Sequence, residues 1–315
     1  FFLYLRNGNG IILLLIQIDS ETRINPYIVF FSMKTMGNYY VIATCRNSEN
    51  NIEKAILSLH NQTLKPEYII VIDDGSTDNT PFILNNLKEK IDNLFIITNP
   101  DLGYNVTRIV NNWNKAIQLT IDLKLKKTDY HMIGTDDTVY EANYAEKIVD
   151  FMDKNLKYAI VSGNYDDNRY VTPHGAGRFI RNAFFNKEHK FYPERMGYES
   201  YVLISAKKNN LDYTVLHDAR FEHTRPLGSD HHFYEFGASM RTLGYHPLFA
   251  LGRFLTYFIS NKPIGRIGAL YMMYYYLFYK PKEDGYDSMY PEEMRKFIRQ
   301  IQLNKIKTIL KIKTR

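Results

Sequence analysis

Short apolar runs alternate with longer amphipathic stretches from position 39 to about position 133 of this chain. The runs at 39–43, 68–72, 94–98 and 130–133 are rich in β-branched and aromatic residues, which is typical of buried parallel strands. The stretches between them, at 50–60, 80–90 and 106–123, have apolar residues at helical spacing. This alternation predicts an α/β fold with a mainly parallel sheet flanked by helices.

Acidic residues follow two of the predicted strands. Asp73 and Asp74 open the run Asp-Asp-Gly-Ser-Thr-Asp after one strand, and Asp136 and Asp137 follow another. Parallel sheets bind ligands at the carboxyl ends of their strands, so these four carboxylates are predicted to share one crevice. Such a group is unfavourable without a counter-charge, and a divalent cation that bridges carboxylates to phosphates is the simplest one. Taken alone, an Asp-Gly-Ser segment is also compatible with an ordinary polar turn.

Three motifs together resemble the nucleotide-binding half of the family 2 glycosyltransferases, which have the GT-A fold. They are the Thr-Cys-Arg-Asn turn at 44–47, the acidic run at 73–78 and the Thr-Asp-Asp element at 135–137. The resemblance covers about residues 39–225 and implies a Rossmann-like GT-A domain with a C-terminal helical extension. It also implies an inverting, metal-dependent transfer of a sugar from a UDP- or GDP-linked donor to a hydroxyl acceptor.

The resemblance implies roles for particular residues at these strand ends. Those around the donor nucleotide are Thr44, Arg46, Asp73, Asp74, Arg108 and Asp136. Asp137 and His223 are the implied ligands of Mn2+ or Mg2+, and an imidazole ligand favours Mn2+. Position 134 is glycine where many members carry another Asp. Arg108 is equally compatible with a solvated arginine on an amphipathic helix.

A second group of candidates follows in the later half of the chain. The segment Gly-Tyr-Glu-Ser at 197–200 stands where inverting members carry an acid, often Glu-Asp, at the start of a helix. Glu199 is therefore the candidate base for the acceptor hydroxyl, and an ordinary acid at a helix start is the alternative. Asp230, in Gly-Ser-Asp-His-His, is a rival base. Residues 174–181 are predicted to form an acceptor-side loop, in which Arg178 and Arg181 meet a phosphate.

The composition suits one large α/β domain with an appended element, since 45% of the 315 residues are hydrophobic. The single cysteine, Cys45, excludes an internal disulfide and is compatible with a reducing compartment. From His246 onward 13 Lys and Arg accompany 5 Asp and Glu, and the apolar runs at 248–255 and 271–279 are too short to span a membrane. We predict that this basic region contacts the cytoplasmic face of the cell membrane peripherally. A packed subdomain or a dimer contact is the alternative.

We therefore predict three segments: an N-terminal extension at 1–36, a GT-A catalytic domain at 37–245 and a basic, aromatic-rich helical region at 246–315. The first segment is expected to be a loosely attached extension or an added edge strand, and the natural protein is expected to begin near Met33 or Met36. The predicted partners are a nucleoside diphosphate sugar and a glycan, lipid-linked or protein acceptor, and no nucleic acid.

Two other functions stay open at this point. A sugar-phosphate nucleotidyltransferase shares the sheet order but would carry a glycine-rich loop after the first strand, where this chain has Ala-Thr-Cys-Arg. A non-catalytic nucleotide-sugar-binding protein is compatible with the serine that follows Glu199. The sequence does not specify the sugar, the nucleotide base or the acceptor.

Overall fold

The computed structural model describes residues 36–103, 105, 107–225, 234–261 and 264–309 in full. It also describes the backbone of strands β1 (Phe2–Asn7), β2 (Gly10–Ile18) and β3 (Ile24–Val29). The chain divides into two compact units, Phe1–Gly37 and Asn38–Arg315. In the first unit β2 pairs antiparallel with both β1 and β3. The second unit includes both the predicted catalytic segment and the predicted C-terminal segment.

In its described residues the second unit is built on an eight-stranded sheet in the order β6-β5-β4-β7-β10-β9-β11-β8. Its strands are β4 (Tyr39–Cys45), β5 (Ile69–Asp73), β6 (Leu94–Thr98), β7 (Tyr130–Thr135), β8 (Thr138–Tyr140), β9 (Tyr158–Asn164), β10 (Arg178–Arg181) and β11 (Asp212–His223). β4 runs parallel to both β5 and β7. β5 also runs parallel to β6, and β11 runs parallel to β9. β10 is antiparallel to β7 and β9, and β8 is antiparallel to β11. We call the edge at the carboxyl ends of β4 to β7, with the turns at 73–76 and 135–138, the acidic edge.

Helices cover both faces of this sheet. The helices of the described residues are α1 (Ile52–His60), α2 (Thr80–Lys88), α3 (Arg108–Asp122), α4 (Tyr144–Lys154), α5 (Asn182–Glu188), α6 (Tyr198–Lys208), α7 (Tyr234–Thr242), α8 (Pro247–Ser260), α9 (Gly265–Phe278) and α10 (Glu292–Ile309). Alternate strand residues point to opposite faces, so Val41 packs with α1, α2 and α4 while Ile42 packs with α3, α5 and α6. This arrangement confirms the predicted α/β fold. Cys45 ends β4 in a buried position.

Two local features connect the sheet to its surroundings. α2 begins at Thr80, whose hydroxyl accepts a hydrogen bond from the backbone N–H of Ser48 at 2.7 Å. The long strand β11 stays paired with β9 across a register shift between Val215 and Arg220.

The last helices form a smaller assembly beside the sheet. α7, α8 and α9 pack around Met240, Ala250, Met272 and Tyr276. α8 and α9, which we call the α8–α9 pair, leave a row of large apolar side chains exposed: Leu248, Leu251, Leu255, Ile259, Ile267, Leu270, Tyr271, Tyr274, Leu277 and Phe278. In the part of the chain that the structure describes, no helix combines the length and the apolar character needed to cross a membrane.

Candidate functional site

The turn after β5 is held by the first of its two carboxylates. Asp73 is fully buried, and its Oδ1 accepts hydrogen bonds from the backbone N–H of Ser76 at 3.0 Å and from the Ser76 hydroxyl at 2.5 Å. Gly75 has φ +73°, and a Cβ there would lie 2.6 Å from the Cα of Asp101. Only glycine fits this close approach, so the turn packs tightly against the loop after β6.

The second carboxylate of this turn belongs to a buried polar network. Asp74 accepts hydrogen bonds from Arg108 Nε at 3.0 Å and from Asn99 Nδ2 at 3.0 Å. Asn99 Nδ2 also donates to Asn112 Oδ1 at 2.8 Å. Burial opposes ionisation of Asp74, but Arg108, Asn112 and Asn99 together lower its pKa below the ordinary value. Asp74 is therefore ionised at neutral pH.

Two further predicted residues lie at the end of β4. Arg46 Nη1 donates to the carbonyl oxygens of Asp74 at 2.5 Å and Gly75 at 2.7 Å, and its Nη2 pairs with Asp101 at 2.7 Å. Arg46 thereby fixes the acidic turn to the loop after β6. Thr44 Oγ1 is buried and has no hydrogen-bond partner among the described residues. Buried hydroxyls are normally partnered, so this one has bonding capacity left for a ligand.

The turn after β7 holds the second acidic pair, whose first member is Asp136. Its carboxylate accepts a hydrogen bond from the Ser48 hydroxyl and pairs with Arg225 Nη2 at 2.9 Å. Burial raises the pKa of Asp136, and the neighbouring charge of Asp137 adds to this, while Ser48 and Arg225 act in the opposite direction. Ser48 also connects this turn to α2 through Thr80.

Asp137 meets His223 because β8 pairs antiparallel with β11, which places Thr138 opposite His223. The Asp137 Oδ1 and His223 Nδ1 atoms are 3.8 Å apart, and Arg225 Nε lies 3.5 Å from Asp137 Oδ2. Burial opposes ionisation of Asp137, but His223, Thr135 and the charge of Arg225 outweigh it and lower its pKa to about 2. The carboxylate is thus charged and faces an imidazole.

This carboxylate and imidazole form a donor set that fits Mn2+. In the described ranges no group of three or more His, Cys, Asp or Glu side chains is placed to hold a metal ion, so Asp137 and His223 would be the protein's share of the ligands. Waters and substrate phosphates commonly complete such sites. A Cβ at Gly134 would lie 3.3 Å from Val41 Cγ1 and 3.4 Å from Leu59 Cδ1. An aspartate at position 134 would therefore point into the apolar core and add no ligand.

Glu199 lies in the first turn of α6, which follows Gly197 in the left-handed conformation with φ +82°. Its Oε1 accepts a hydrogen bond from Arg178 Nη1 at 3.2 Å. Arg178 is itself nearly fully buried and donates from Nε to the carbonyl oxygen of His174 at 2.9 Å. Arg178 therefore orients Glu199. The predicted acceptor-side loop is wrong for Arg178 and Arg181, because both belong to strand β10. Arg181 donates to the carbonyl oxygen of Met152 at 2.8 Å, so it braces the sheet.

The structure thus gathers the predicted donor and metal residues around the turns after β5 and β7, whereas Glu199 on α6 pairs with Arg178 of β10. Asp230 and the His-His pair after it lie outside the described residues. Sequence reasoning missed Ser48, Asn99 and Arg225. Arg225 follows His223 at the two-residue spacing that places side chains on one side of an extended chain, and this was a usable signal. Ser48 and Asn99 come from loops of other strands, and nothing in their local sequence marks them.

Comparison with known proteins identifies the family. Residues 40–210, more than half of the chain, match the family described as Glycosyl transferase family 2. The chain belongs to this family. A segment of 116 residues is 33% identical to a protein of Haemophilus influenzae described as an uncharacterized glycosyltransferase. That segment makes up 36% of this chain and 32% of the relative, so the match spans about a third of the relative's length.

Two solved structures share the fold of this family 2 member. The mannosyltransferase PcManGT from Pyrobaculum calidifontis, in complex with GDP-Man and Mn2+, has a TM-score of 0.52 and 12% identity, over 90% of this chain and 77% of its own. S. aureus TarS 1-349, in complex with UDP-GlcNAc, has a TM-score of 0.50 and 18% identity, over 76% of this chain and 71% of its own. At these identities the likeness shows the fold, and it confirms the predicted GT-A architecture.

Proposed function

We propose that this chain transfers a sugar, with inversion, from a nucleoside diphosphate sugar to a hydroxyl acceptor, with Mn2+ or Mg2+ at the acidic edge. The observation that carries the proposal is the convergence of Asp137 and His223, 3.8 Å apart, beside Arg225. The fold relatives were solved with UDP-GlcNAc and with GDP-Man and Mn2+, which supports the donor class and the metal.

The nucleoside of the donor binds at the turn after β5. Asp74, held ionised by Arg108, accepts hydrogen bonds from the base or the ribose, and the free hydroxyl of Thr44 bonds beside it. Asp73 and Arg46 contribute by fixing the shape of the turn. Because the side chains of this turn are already held in place, less conformational entropy is lost when the nucleoside binds.

The diphosphate binds at the turn after β7. A divalent cation there, when bound, offsets the negative charge that develops on the departing diphosphate. Arg225 adds a positive charge beside the same carboxylates. Glu199, oriented by Arg178, accepts the proton of the acceptor hydroxyl as that oxygen attacks the anomeric carbon from the face opposite the leaving group.

Calorimetric titration with UDP and GDP, in Mn2+ and in EDTA, tests this proposal. One of the two diphosphates should bind in Mn2+, and EDTA should weaken its affinity by about 10-fold or more. If neither binds, the proposal is wrong. Slow hydrolysis of the matching nucleotide sugar distinguishes an enzyme from a non-catalytic binding protein. A nucleotidyltransferase would instead release pyrophosphate from a nucleoside triphosphate and a sugar phosphate.

The α8–α9 pair is our proposed site of peripheral membrane contact at the cytoplasmic face. Between positions 246 and 282 the sequence has five Lys or Arg residues and neither Asp nor Glu. The exposed leucines and aromatic rings of this pair stand among those charges. An apolar face that carries basic residues suits the interface of an anionic bilayer. The other face of the pair packs on α7, so a packed subdomain and a membrane contact are compatible here.

A further inference from the structure

Two cavities lie near Glu199, and the partly buried Arg253 lines both of them. The first cavity, of about 370 Å³, is lined by Glu199 and by residues of α6 and α7. The second, of about 600 Å³, lies among α6, α8 and α10. Ser200, Tyr245 and Arg253 line both cavities. A path therefore leads from the candidate base, past Arg253, into the second cavity.

The second cavity is lined mainly by apolar residues, together with two basic ones. Its wall includes Leu203, Ile204, Leu248, Phe249, Ile306 and Ile309. The charged residues on it are Arg253 and Lys305, and none of the described residues that line it is acidic. Lys305 Nζ lies 6.0 Å from the centre of the Phe249 ring. Apolar walls with a few placed polar groups are typical of binding sites for small molecules.

Arg253 is partly buried, and among the described residues it bonds to tyrosine hydroxyls rather than to a carboxylate. Its Nε donates to the Tyr257 hydroxyl at 2.9 Å, and its guanidinium lies 5.3 Å from the centre of that ring. Glu199 and Glu235 line the first cavity together with Arg253, but no ion pair joins Arg253 to a carboxylate of the described residues. Burying a charge is unfavourable unless a counter-charge or several hydrogen bonds compensate it. Beyond the hydrogen bonds to the Tyr257 and Tyr245 hydroxyls, the guanidinium has N–H donors left for an anion, in the bidentate geometry that phosphate and carboxylate accept.

We propose that Arg253 binds a phosphate-class anion on an amphipathic acceptor whose apolar chain lies in the second cavity. This inference rests on the proposed transferase function and adds the chemical class of the acceptor to it. The order of features along the path sets the order of groups in the acceptor. The hydroxyl lies at Glu199, the anion at Arg253 and the apolar chain between α8 and α10.

The structure offers a variant that blocks the apolar cavity without removing any side chain. Gly252 lines that cavity, and a Cβ built on it meets no heavy atom within 4 Å. Its place inside α8 also favours a residue with a side chain, since glycine is a poor helix former. Gly252→Leu should fill the cavity, and Gly252→Ala is the matched control that leaves most of it open.

Octyl phosphate, octanol and inorganic phosphate are the probes, each titrated calorimetrically into the full chain. Octyl phosphate should bind more tightly than either other probe. Arg253→Met should weaken octyl phosphate binding by about 10- to 100-fold, the scale of a lost hydrogen-bonded charge pair. Arg266→Met, on the exposed side of α9, should bind as the wild type does. Equal affinity of the wild type and Arg253→Met for octyl phosphate would overturn the inference.

Gly252→Leu should weaken octyl phosphate binding but leave inorganic phosphate binding unchanged, and Gly252→Ala should stay close to the wild type. If inorganic phosphate binds as tightly as octyl phosphate and Gly252→Leu changes neither affinity, the site takes free phosphate and the amphipathic acceptor is wrong. UDP and GDP are titrated into the same samples. If UDP or GDP binds normally and Arg253→Met leaves the affinity for octyl phosphate unchanged, only this inference is wrong. If neither nucleotide binds, the proposed function is wrong.

Discussion

The side chains of the acidic edge are bonded to neighbouring elements, whereas many of those on the α8–α9 pair are exposed to solvent. At the acidic edge, Arg46, Asp74 and Arg108 each make several bonds to neighbouring elements, so the shape of the edge is fixed before any ligand arrives. On the α8–α9 pair, residues such as Leu255 and Tyr274 are 46% and 56% exposed. The difference teaches that substitutions at the edge should reduce folding stability, whereas those on the pair should change only association.

Arg108→Met should have the largest effect and tests this contrast directly. The Arg108 and Asp74 side chains are 17% and 10% exposed, so the substitution leaves a nearly buried carboxylate without its partner. We expect the free energy of unfolding to fall by about 3 kcal/mol. Leu255→Ser on α8 should change it by less than about 0.5 kcal/mol. Urea denaturation of the two variants measures both values, and equal losses would refute the contrast.

Glu199→Gln should lower turnover by roughly 100-fold or more while leaving nucleotide affinity unchanged, because it removes the proton acceptor but keeps the shape of the side chain. Steady-state kinetics and calorimetry on the same variant separate the two effects. Asp230→Asn is the comparison and should do less. The opposite ranking would make Asp230 the base.

Asp137→Asn should weaken Mn2+-dependent nucleotide binding by about 10-fold or more, since a neutral amide replaces an ionised carboxylate that faces His223. Calorimetry in Mn2+ and in EDTA gives the metal-dependent part. Asp150→Asn is a suitable control, because Asp150 pairs with Lys154 on the exposed side of α4. Unchanged affinity in Asp137→Asn would refute the metal assignment.

Leu255→Ser should weaken binding to anionic vesicles by about 5-fold, the effect of removing a partly buried leucine from an interface. Leu156→Ser is the control, because Leu156 is exposed as well, at 65% against 46% for Leu255, and lies outside the α8–α9 pair. Flotation with anionic and neutral vesicles measures the effect, and added salt should reduce binding. Should the wild-type chain bind neither kind of vesicle, sedimentation of the variants will show whether the pair is an oligomer contact.

The periodicity of the sequence predicted the central strands and the turns that follow them. β4, β5 and β7 were predicted at their places, and with them the positions of the acidic turns. The pattern could not show that Arg178 meets Glu199, because contacts between distant elements depend on packing rather than on local spacing. It also could not show that no carboxylate of the described residues forms an ion pair with Arg253, since that depends on every element around α8.

Cys45 makes the chain convenient for site-specific labelling. It is the single cysteine, it is 3% exposed, and burial together with Asp73 and Asp136 raises the pKa of its thiol well above the ordinary value. Thiol reagents attack the accessible thiolate, so this cysteine should be inert in the folded protein. A cysteine introduced at Ile259, which is 74% exposed, would then take a fluorophore or spin label alone. Such a probe would report directly on the surroundings of α8 in an otherwise unaltered chain.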